Sequence, residues 1–452
     1  MKKLSKNTLI FLNFLICVIP LAFILGNFFI NAIITIFCIT GIFFYKNNIF
    51  RINKNKISAI FFIFFLIVIT ATIFEGYNNP KNLQFTKSIL FLRYFIFLLI
   101  LSQMIINNDL NIKLFIKSCL FFSILVSLDI ILQYFYGKNI LGYEAEEHRR
   151  SGLFGDEIIA GGYIQRFSIF GLFALPYLLK KTGNKIFLYL SFFIIIFLGA
   201  FLSGNRMPLI MFLFFILLLS LTFNLKKLKF IGQISLALLV SIFIFLVTNF
   251  DNFKINYQRF LGGIPNPAKI INELKKNYPE LKKYEGTKTA FHQTEEAKKN
   301  VGSYETFDLK TGHIHLYITS LDLISDDPFI GRGIRSFRNT CWEKRHLPNR
   351  LCQTHAHNFY LEILNDTGFL GLALIVLPLF YLIIKCFKKY RKKNYLFFYP
   401  VFFSLIIEFF PFRSSGSFFS TYNSTFIFFL IGLLIGMNEL KKKNLLKSSN
   451  IF

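Results

Sequence analysis

The sequence between residues 354 and 372 is THAHNFYLEILNDTGFLGL. The longest polar segment of the chain precedes it, and an apolar run follows it. These neighbours predict a helix that leaves water and enters a membrane. Thr354 is a usable N-cap residue, so we expect the helix to begin there.

Two stripes of this predicted helix differ in chemistry. One face has an imidazole at its water-side end and two glycines that would let another helix approach closely, and it holds His357, Leu361, Leu364, Gly368 and Gly371. A second stripe is polar and holds Asn358, Glu362 and Asp366. Lipid would not tolerate these side chains, so we expect the helix inside a bundle, beside a wet cavity.

The composition of the whole chain is that of a polytopic membrane protein. Of its 452 residues 54% are hydrophobic, 62 are Phe, and the apolar residues come in runs long enough to span a bilayer. We therefore predict an all-α membrane protein with about twelve transmembrane helices, at roughly 8–25, 27–45, 57–74, 88–106, 114–136, 161–179, 186–203, 207–223, 230–248, 356–384, 395–411 and 417–437.

The location of the basic residues predicts the orientation of these helices. The net charge of +27 could suggest a nucleic-acid partner, but Lys and Arg also collect in the cytoplasmic loops of membrane proteins. With the N-terminus inside, the cytoplasmic segments carry 25 basic residues and the short outer segments carry 7. This asymmetry predicts cytoplasmic termini and no nucleic-acid partner. The first helix has no small-residue cleavage pattern and is expected to be retained.

The expected organisation has three parts. Residues 1–248 hold transmembrane helices one to nine, 249–355 form one large, partly helical periplasmic loop, and 356–452 hold helices ten to twelve with a cytoplasmic tail. Within the loop, 269–310 is typical of a solvated helix or a linker. A later stretch is spaced for an amphipathic helix against the membrane domain that ends at Asp326-Asp327-Pro328, and its apolar side holds Leu316, Ser320, Leu323 and Ile324.

The spacing His357-Asn358, nine residues, Gly368, two residues, Gly371 resembles the signature of the O-antigen ligase and polymerase superfamily of bacterial envelope proteins. The preceding segment from Phe329 to Phe337, with its Gly-x-Gly, resembles the loop before that signature. The resemblance implies that a glycan carried on undecaprenyl diphosphate is transferred or polymerised outside the cytoplasmic membrane. It implies no nucleotide, no other cofactor and no obligatory metal.

The resemblance also implies roles for individual residues. Arg206 follows a tight Ser-Gly turn, as the essential arginine of the family does, and would grip the diphosphate. The family has a second functional arginine in the long loop, for which Arg259, Arg332, Arg335 and Arg338 are candidates. We choose Arg259 because it lies soon after the ninth span. His357 would be the general base or would orient the acceptor, and backside attack would make the transfer inverting. Further substrate contacts are expected from Asn358, Arg166, Arg332, Arg335, Arg338, Gly368 and Gly371.

Structural alternatives stand beside these roles. Arg93 and Arg166 lie within predicted spans, where a guanidinium either faces a cavity or pairs with an acid. The six basic residues between 332 and 350 could meet lipid headgroups, a diphosphate or only water. His357 could merely cap the helix. His355-Ala356-His357 could suggest a metal, but no outer set of side chains has convincing ligand spacing, so no metal is expected.

Cysteine usage predicts one disulfide. Cys341 and Cys352 are in the outer loop, where an oxidising compartment favours their pairing, while the other four cysteines lie in or beside apolar spans. Two free thiols are the alternative, because the sequence does not show how close the side chains come.

The favoured function is an O-antigen ligase of the bacterial inner membrane. It would move a glycan from undecaprenyl diphosphate to a lipid A-core or other surface acceptor, in contact with membrane lipids and with its active site on the periplasmic side. A polymerase of the same superfamily is the alternative, since only the acceptor differs. A transporter or flippase is less favoured because the two halves of the chain differ and the polar candidates lie at the outer face.

Overall fold

The computed structural model describes residues 2–46, 49, 56–79, 84–145, 149–178, 185–221, 232–236, 238–240, 313–344, 347, 350–390 and 397–440. Across these ranges the chain forms helices and no β-strand, with one isolated bridge between Lys138 and Glu144. The predicted all-α class is therefore confirmed for the described part of the chain. The ninth predicted span (230–248) lies mostly outside these ranges, and Arg259 and the segment 269–310 lie wholly outside them.

The helices are numbered here in chain order. They are α1 (Lys2–Leu25), α2 (Asn27–Tyr45), α3 (Lys56–Asn78), α4 (Phe85–Phe91), α5 (Arg93–Ile106), α6 (Ile112–Tyr136), α7 (Ala160–Leu178), α8 (Lys185–Leu202), α9 (Arg206–Ser220), α10 (His313–Asp326), α11 (Phe337–Thr340), α12 (Phe359–Tyr390), α13 (Phe398–Glu408) and α14 (Thr421–Glu439). Short 3-10 turns lie at Gly152–Phe154 and Cys341–Lys344.

Seven helical segments are long and apolar enough to cross a membrane, by length and composition. They are Lys6–Leu25, Asn27–Tyr45, Lys56–Asn78, Phe85–Ile106, Ile112–Tyr136, Phe359–Tyr390 and Thr421–Glu439. Phe187–Leu202, Arg206–Ser220 and Phe398–Glu408 are shorter apolar helices. These helices make the chain a multi-pass membrane protein, and the number of about twelve spans stays a prediction.

Helix α14 is the buried centre of the bundle. Its apolar window is 89% buried, the highest value among the seven segments. Gly432 and Gly436 lie one turn apart on α14, and a Cβ at these positions would meet α5 at the backbone oxygen of Leu98 (2.9 Å) and at Cβ of Ile105 (2.6 Å). Small residues at this spacing allow two membrane helices to approach closely, which explains the tight packing of α14 against α5.

The loops that the charge pattern places outside the membrane meet at one end of the bundle. The Arg150 amide before α7 donates to the Ser203 carbonyl after α8 (3.1 Å), and the Ser415 amide before α14 donates to the His357 carbonyl before α12 (2.9 Å). At the opposite end the Tyr45 hydroxyl donates to Asp109 Oδ2 (2.8 Å). The orientation of the helices in the membrane stays a prediction.

Helix α12 begins later than predicted, at Phe359. Asn358 Oδ1 accepts hydrogen bonds from the amides of Tyr360 (2.9 Å) and Leu361 (3.2 Å), so Asn358 caps the helix. The Thr354 hydroxyl is instead 2.9 Å from Nδ1 of His355. The prediction of a Thr354 cap was wrong because a cap must lie next to the first turn, and an asparagine does so here. His357 consequently precedes the helix and does not share its face.

The same helix is broken at Gly368, whose φ of 63° and ψ of −171° are not helical. The loop before α11 fills the break: the Phe369 amide donates to the Pro328 carbonyl (2.8 Å), and the Gly333 amide donates to the Asp366 carbonyl (2.9 Å). The prediction that Gly368 admits another helix was wrong, since its close neighbour is this loop. Gly371 makes room for the Thr367 side chain, because a Cβ there would lie 2.0 Å from Thr367 Oγ1.

We expect Gly368→Ala to destabilise the protein. A Cβ at this position would lie 2.2 Å from the Phe329 carbonyl carbon, and the positive φ strains any residue with a side chain. The backbone strain alone is about 1–3 kcal/mol. Thermal unfolding in detergent should therefore shift to lower temperature. Gly162→Ala is the matched control, because the nearest atom to its Cβ would be 4.0 Å away, and equal unfolding temperatures for the two variants would contradict the role of the break.

Candidate functional site

Three imidazoles form a row at the polar end of the bundle. The ring centroids of His355 and His357 are 4.1 Å apart, and those of His313 and His357 are 4.8 Å apart. His313 is the first residue of α10, while the other two precede α12. His357 therefore contacts both other rings. His313 was not predicted as a site residue, because it lies far from His355 and His357 in the sequence.

The backbone around His357 is fixed by the loop between α13 and α14. His357 has a left-handed φ of 57°. Its carbonyl accepts from the Ser415 amide (2.9 Å), and the side-chain amide of Asn358 donates to the Pro411 carbonyl (2.8 Å). The imidazole is thus held outside the helix, and since Asn358 performs the capping, the alternative in which His357 is only a helix cap is excluded.

The environment keeps this imidazole neutral. Burial and, to a smaller extent, the neighbouring rings of His355 and His313 together lower the pKa of His357 to about 3. Burial also lowers the pKa of His355 to about 4, with Arg338, His313 and Arg335 contributing. The prediction that His357 has an ordinary imidazole pKa near neutral was wrong, because burial in this row lowers the pKa.

The tautomer of His357 follows from its hydrogen bond. Nε2 lies 2.9 Å from Oε1 of Gln353, which can only accept. In the neutral ring Nε2 therefore carries the proton, and the lone pair remains on Nδ1. Gln353 was not predicted as a site residue, because only the fold brings its amide to the imidazole.

The described basic residues between 332 and 350 divide into two groups. Arg332 forms ion pairs with Asp326 (3.1 Å), Asp327 (2.6 Å) and Glu343. Lys344 pairs with Asp326 (2.7 Å), and Arg350 pairs with Asp322. The acids at the end of α10 therefore neutralise these three cations, so we remove Arg332 from the candidate substrate contacts.

Arg335 and Arg338 form the second group and have no ion pair in the described part of the chain. The Arg335 amide donates to Asp366 Oδ2 (2.6 Å), and its guanidinium donates through Nη2 to the Phe419 carbonyl (3.0 Å). Nε of Arg338 is buried and has no hydrogen-bond partner among the described residues. Burial and the charge of Arg338 lower the pKa of Arg335. The charges of both arginines also lower the pKa of His355.

The polar stripe of α12 faces the bundle interior, as predicted. Asn358, Glu362 and Asp366 are at most 8% exposed. Glu362 accepts from the Ser417 hydroxyl and the Phe418 amide, both at 2.5 Å. Asp366 accepts from the amide of Arg335 and from the hydroxyl of Ser336 (2.8 Å). Glu362 therefore anchors the α13–α14 loop, and Asp366 anchors the segment that carries Arg335. The prediction had placed a wet cavity beside these side chains.

Arg206 is the first residue of α9 and its side chain is exposed. Its guanidinium has no hydrogen bond or ion pair to any residue that the structure describes. The turn before it is held by Arg150, whose Nη1 donates to the Leu202 carbonyl (2.9 Å). The adjacent Arg149 is close enough to His313 to contribute to the lowered pKa of that imidazole, after burial. The 149–150 segment thus packs against the turn before Arg206.

Arg166 is occupied inside the bundle. Its guanidinium donates to both carboxylate oxygens of Glu408 (3.0 and 2.7 Å) and to Oδ1 of Asn423 (2.7 Å), and Arg413 also pairs with Glu408 (2.7 Å). Arg93 similarly donates to Asn31 Oδ1 (2.8 Å). Pairing with an acid, the structural alternative, therefore describes Arg166, which we assign to the stability of the bundle, whereas Arg93 bonds to a neutral amide.

The described residues contain no group of three or more His, Cys, Asp or Glu side chains arranged to hold a metal ion. The three imidazoles of the row likewise form no such group. Their arrangement favours acid–base and hydrogen-bond chemistry at neutral rings.

Cys341 and Cys352 are joined as a disulfide, with their Cα atoms 5.3 Å apart. The bridge lies in a small apolar cluster under α10 that includes Leu316, Leu323, Phe337 and Ala356. These residues bury the apolar side of the amphipathic helix, which forms as predicted and ends at Asp326. The disulfide therefore connects the segment that carries Arg335 and Arg338 to the segment that carries His355 and His357.

We expect non-reducing peptide mapping to yield a crosslinked Cys341–Cys352 peptide. In a chain-entropy model such a bridge contributes about 3 kcal/mol, because it closes a short loop in the unfolded chain. Alkylation before and after reduction is the measurement. Complete alkylation of both cysteines without reduction would contradict the disulfide, and Cys386, buried in α12, serves as the internal free-thiol reference after unfolding.

Together these features define a multi-pass helical membrane protein with a histidine- and arginine-lined site at one end of its bundle. Residues 191–376 match the family model described as O-Antigen ligase. The match contains Arg206, the imidazole row and the Gly368 break, so over these residues the chain is similar to the O-antigen ligase family. No curated protein matches the chain.

Proposed function

We propose that the protein is an O-antigen ligase that transfers a glycan from undecaprenyl diphosphate to a hydroxyl of lipid A-core or of another surface acceptor. The site would lie on the periplasmic side of the inner membrane, with both termini in the cytoplasm. The family match at residues 191–376 supports a lipid-linked glycan donor and a glycan acceptor as the substrates.

The observation that carries the proposal is the state of His357. Its Nε2–H is occupied by Gln353, so the lone pair of Nδ1 is available at the end of the bundle where unpaired arginines collect. Glycan transfer needs a proton acceptor for the hydroxyl and cations for the departing diphosphate. Arg206 supplies a free guanidinium of this kind, and Arg259 stays our candidate for a second one.

The proposed step is a single displacement. The acceptor oxygen forms a bond to the anomeric carbon while the bond from that carbon to the diphosphate oxygen breaks. The electron pair leaves with the diphosphate, where Arg206 binds it, and the hydroxyl proton goes to Nδ1 of His357. Attack from the face opposite the leaving group inverts the anomeric configuration.

The donor itself would make His357 a stronger base. The low pKa of the free site comes from burial and from neighbouring rings and cations. A bound diphosphate brings negative charge next to the row, and nearby negative charge favours the protonated imidazole. The imidazole would thus be ready to accept a hydrogen bond before the donor binds and would gain basicity when it does.

The pH dependence of transfer tests this state of His357. Since the pKa of His357 in the free protein is about 3, kcat/KM should show no acid limb near pH 6.5. His313→Ala removes one neighbouring ring and reduces the burial of His357. The pKa of His357 should therefore rise, and the acid limb of kcat/KM should move towards pH 6.5. A wild-type limb at about pH 6.5 that disappears in a His357 variant would contradict the neutral row.

Glycan profiling of a strain that lacks this gene tests the function. The proposal predicts long glycan chains that stay on the lipid carrier and a surface without them, with recovery on expression of the wild-type chain. Single repeat units on the surface would instead identify a polymerase, in which the same groups would act on a glycan acceptor. An unchanged glycan profile would contradict both.

A further inference from the structure

Arg93 lies within one of the seven long apolar segments and has no counter-charge in the described part of the chain. Its Nη2 donates to Oδ1 of Asn31 on α2 (2.8 Å) and to the hydroxyl of Tyr94 (3.1 Å). Both partners are neutral, and Nε of Arg93 is buried and bonds to no described residue. Arg166, by contrast, is paired with an acid. A charged side chain in a membrane span needs a partner of opposite charge, and the described residues do not supply one to Arg93.

The depth of Arg93 follows from the two helices that hold it. Asn31 contacts Arg93, and further along each helix the rings of Phe37 and Phe97 are 5.3 Å apart, so α2 and α5 run in the same direction. Helix α2 has 19 residues and is about 28 Å long, close to the thickness of the hydrocarbon core. Asn31 lies four residues, or about 6 Å, from the first residue of α2. Helical side chains tilt towards the N-terminus, so the Arg93–Asn31 pair lies near the edge of the hydrocarbon, next to the lipid headgroups.

The pair lies at the same end of the bundle as the imidazole row. The hydroxyl of Tyr94 is 3.5 Å from the carbonyl of Thr421, the first residue of α14. The loop that leads into α14 also holds the backbone of His357, whose carbonyl accepts from the Ser415 amide (2.9 Å). Arg93 is therefore next to the leaflet that adjoins the site.

The surface beside the pair is apolar and open. Ile89 and Leu90 lie one turn before Arg93 and are 42% and 53% exposed, and the backbone between α4 and α5 keeps helical dihedrals. Phe28 lies three residues before Asn31 and is 76% exposed in the described part of the chain. Residues three and four apart share a face of a helix. The guanidinium therefore lies on the lipid-facing side of α2 and α4, below a rim of exposed apolar side chains.

We propose that Arg93 and Asn31 form a lipid site that binds the phosphodiester of an anionic phospholipid in this leaflet. The single negative charge of a phosphodiester balances one guanidinium, whereas a diphosphate carries more charge than Arg93 alone can balance. Guanidinium donors bind phosphate oxygens in pairs, and basic pockets between transmembrane helices bind anionic headgroups. Phe28, Ile89 and Leu90 would contact the acyl chains. The bound lipid would stabilise the packing of α2 against α4 and α5, next to the start of α14.

Native mass spectrometry of the purified full-length protein tests the site, with phosphatidylglycerol as the anionic probe and phosphatidylcholine as the zwitterionic comparison. Wild type should retain phosphatidylglycerol preferentially and should unfold at a higher temperature in its presence. Arg93→Gln should weaken phosphatidylglycerol binding by about tenfold, because a charge-assisted hydrogen bond to the phosphate is lost. Equal retention of the two lipids by wild type, or unchanged binding by Arg93→Gln, would overturn the site.

Asn31→Asp is a second variant, which keeps the guanidinium. The new carboxylate has the shape of the amide and would pair with Arg93 across the present 2.8 Å contact, so it should exclude the lipid phosphate while the protein stays folded. Phosphatidylglycerol binding that survives in Asn31→Asp would contradict the proposal. Lys138→Gln is the matched control, because Lys138 is already paired with Glu144 (3.0 Å) and its loss should leave lipid binding unchanged.

The same variants separate a phospholipid from the lipid-linked donor. If Arg93→Gln lost binding of undecaprenyl diphosphate but kept that of phosphatidylglycerol, the site would belong to the donor and the proposal would be overturned. All of these measurements report lipid binding in the absence of glycan transfer. The outcome is therefore independent of the proposed function.

Discussion

His357→Asn is expected to lower the rate of glycan transfer by about 10²–10⁴-fold, the range for loss of a general base. Asparagine is the sharpest replacement, because it tolerates the left-handed φ of 57° and fits the turn but cannot accept the hydroxyl proton. The loss should appear in kcat, with the amount of protein in the membrane unchanged. Measurement of transfer in a complemented deletion strain, with the protein quantified by immunoblot, checks both.

A second replacement of His357 separates proton transfer from backbone geometry. His357→Gly also fits a positive φ and removes the imidazole entirely, so it should be as inactive as the asparagine variant. Added imidazole should restore part of the rate of the glycine variant if the ring acts as a base. Transfer close to wild type in either variant would contradict the assigned role.

Arg206→Ala is expected to lower transfer by about 10²–10³-fold, because the departing diphosphate loses a fixed cation. The fold should be unaffected, since this guanidinium is exposed and bonds to none of the described residues. Arg206→Lys keeps the charge but loses the paired donors, so its transfer rate should fall between those of wild type and Arg206→Ala. In vitro transfer with a lipid-diphosphate-linked glycan gives the rates.

Lys138→Ala is the control for Arg206. Lys138 is an exposed cation at the same end of the bundle, and it pairs with Glu144 at 3.0 Å. Exposed pairs of this kind contribute at most about 1 kcal/mol, so transfer should stay near the wild-type rate. Near-normal transfer by Arg206→Ala would dismiss the diphosphate contact.

The sequence was informative where one strong physical constraint acts on each residue. Apolar runs and buried polar stripes predicted the long helices and the inward direction of Glu362 and Asp366, because lipid excludes charge regardless of the details of packing. The motif spacing indicated the same family whose model matches residues 191–376. The buried close approach of α14 to α5 was missed, although Gly432 and Gly436 stand at the spacing that signals it.

The site itself depends on contacts between distant parts of the chain. The row of imidazoles needs His313, which is separated from His357 by 43 intervening positions. The choice between Arg332 and Arg338 as a free cation depends on which acids at the end of α10 reach which guanidinium. The break at Gly368 was read as helix packing because a glycine in an apolar run has the same sequence pattern in either case.

The most direct test is in vitro transfer by the purified full-length protein in liposomes, with undecaprenyl diphosphate-linked glycan and lipid A-core. We expect one undecaprenyl diphosphate to be released for each glycan that reaches the acceptor, with inverted anomeric configuration by NMR and no effect of a chelator. His357→Asn and Arg206→Ala should each suppress release and transfer together. Transfer with retained configuration, or equal transfer by wild type and both variants, would contradict the assignment of His357 and Arg206 to this reaction.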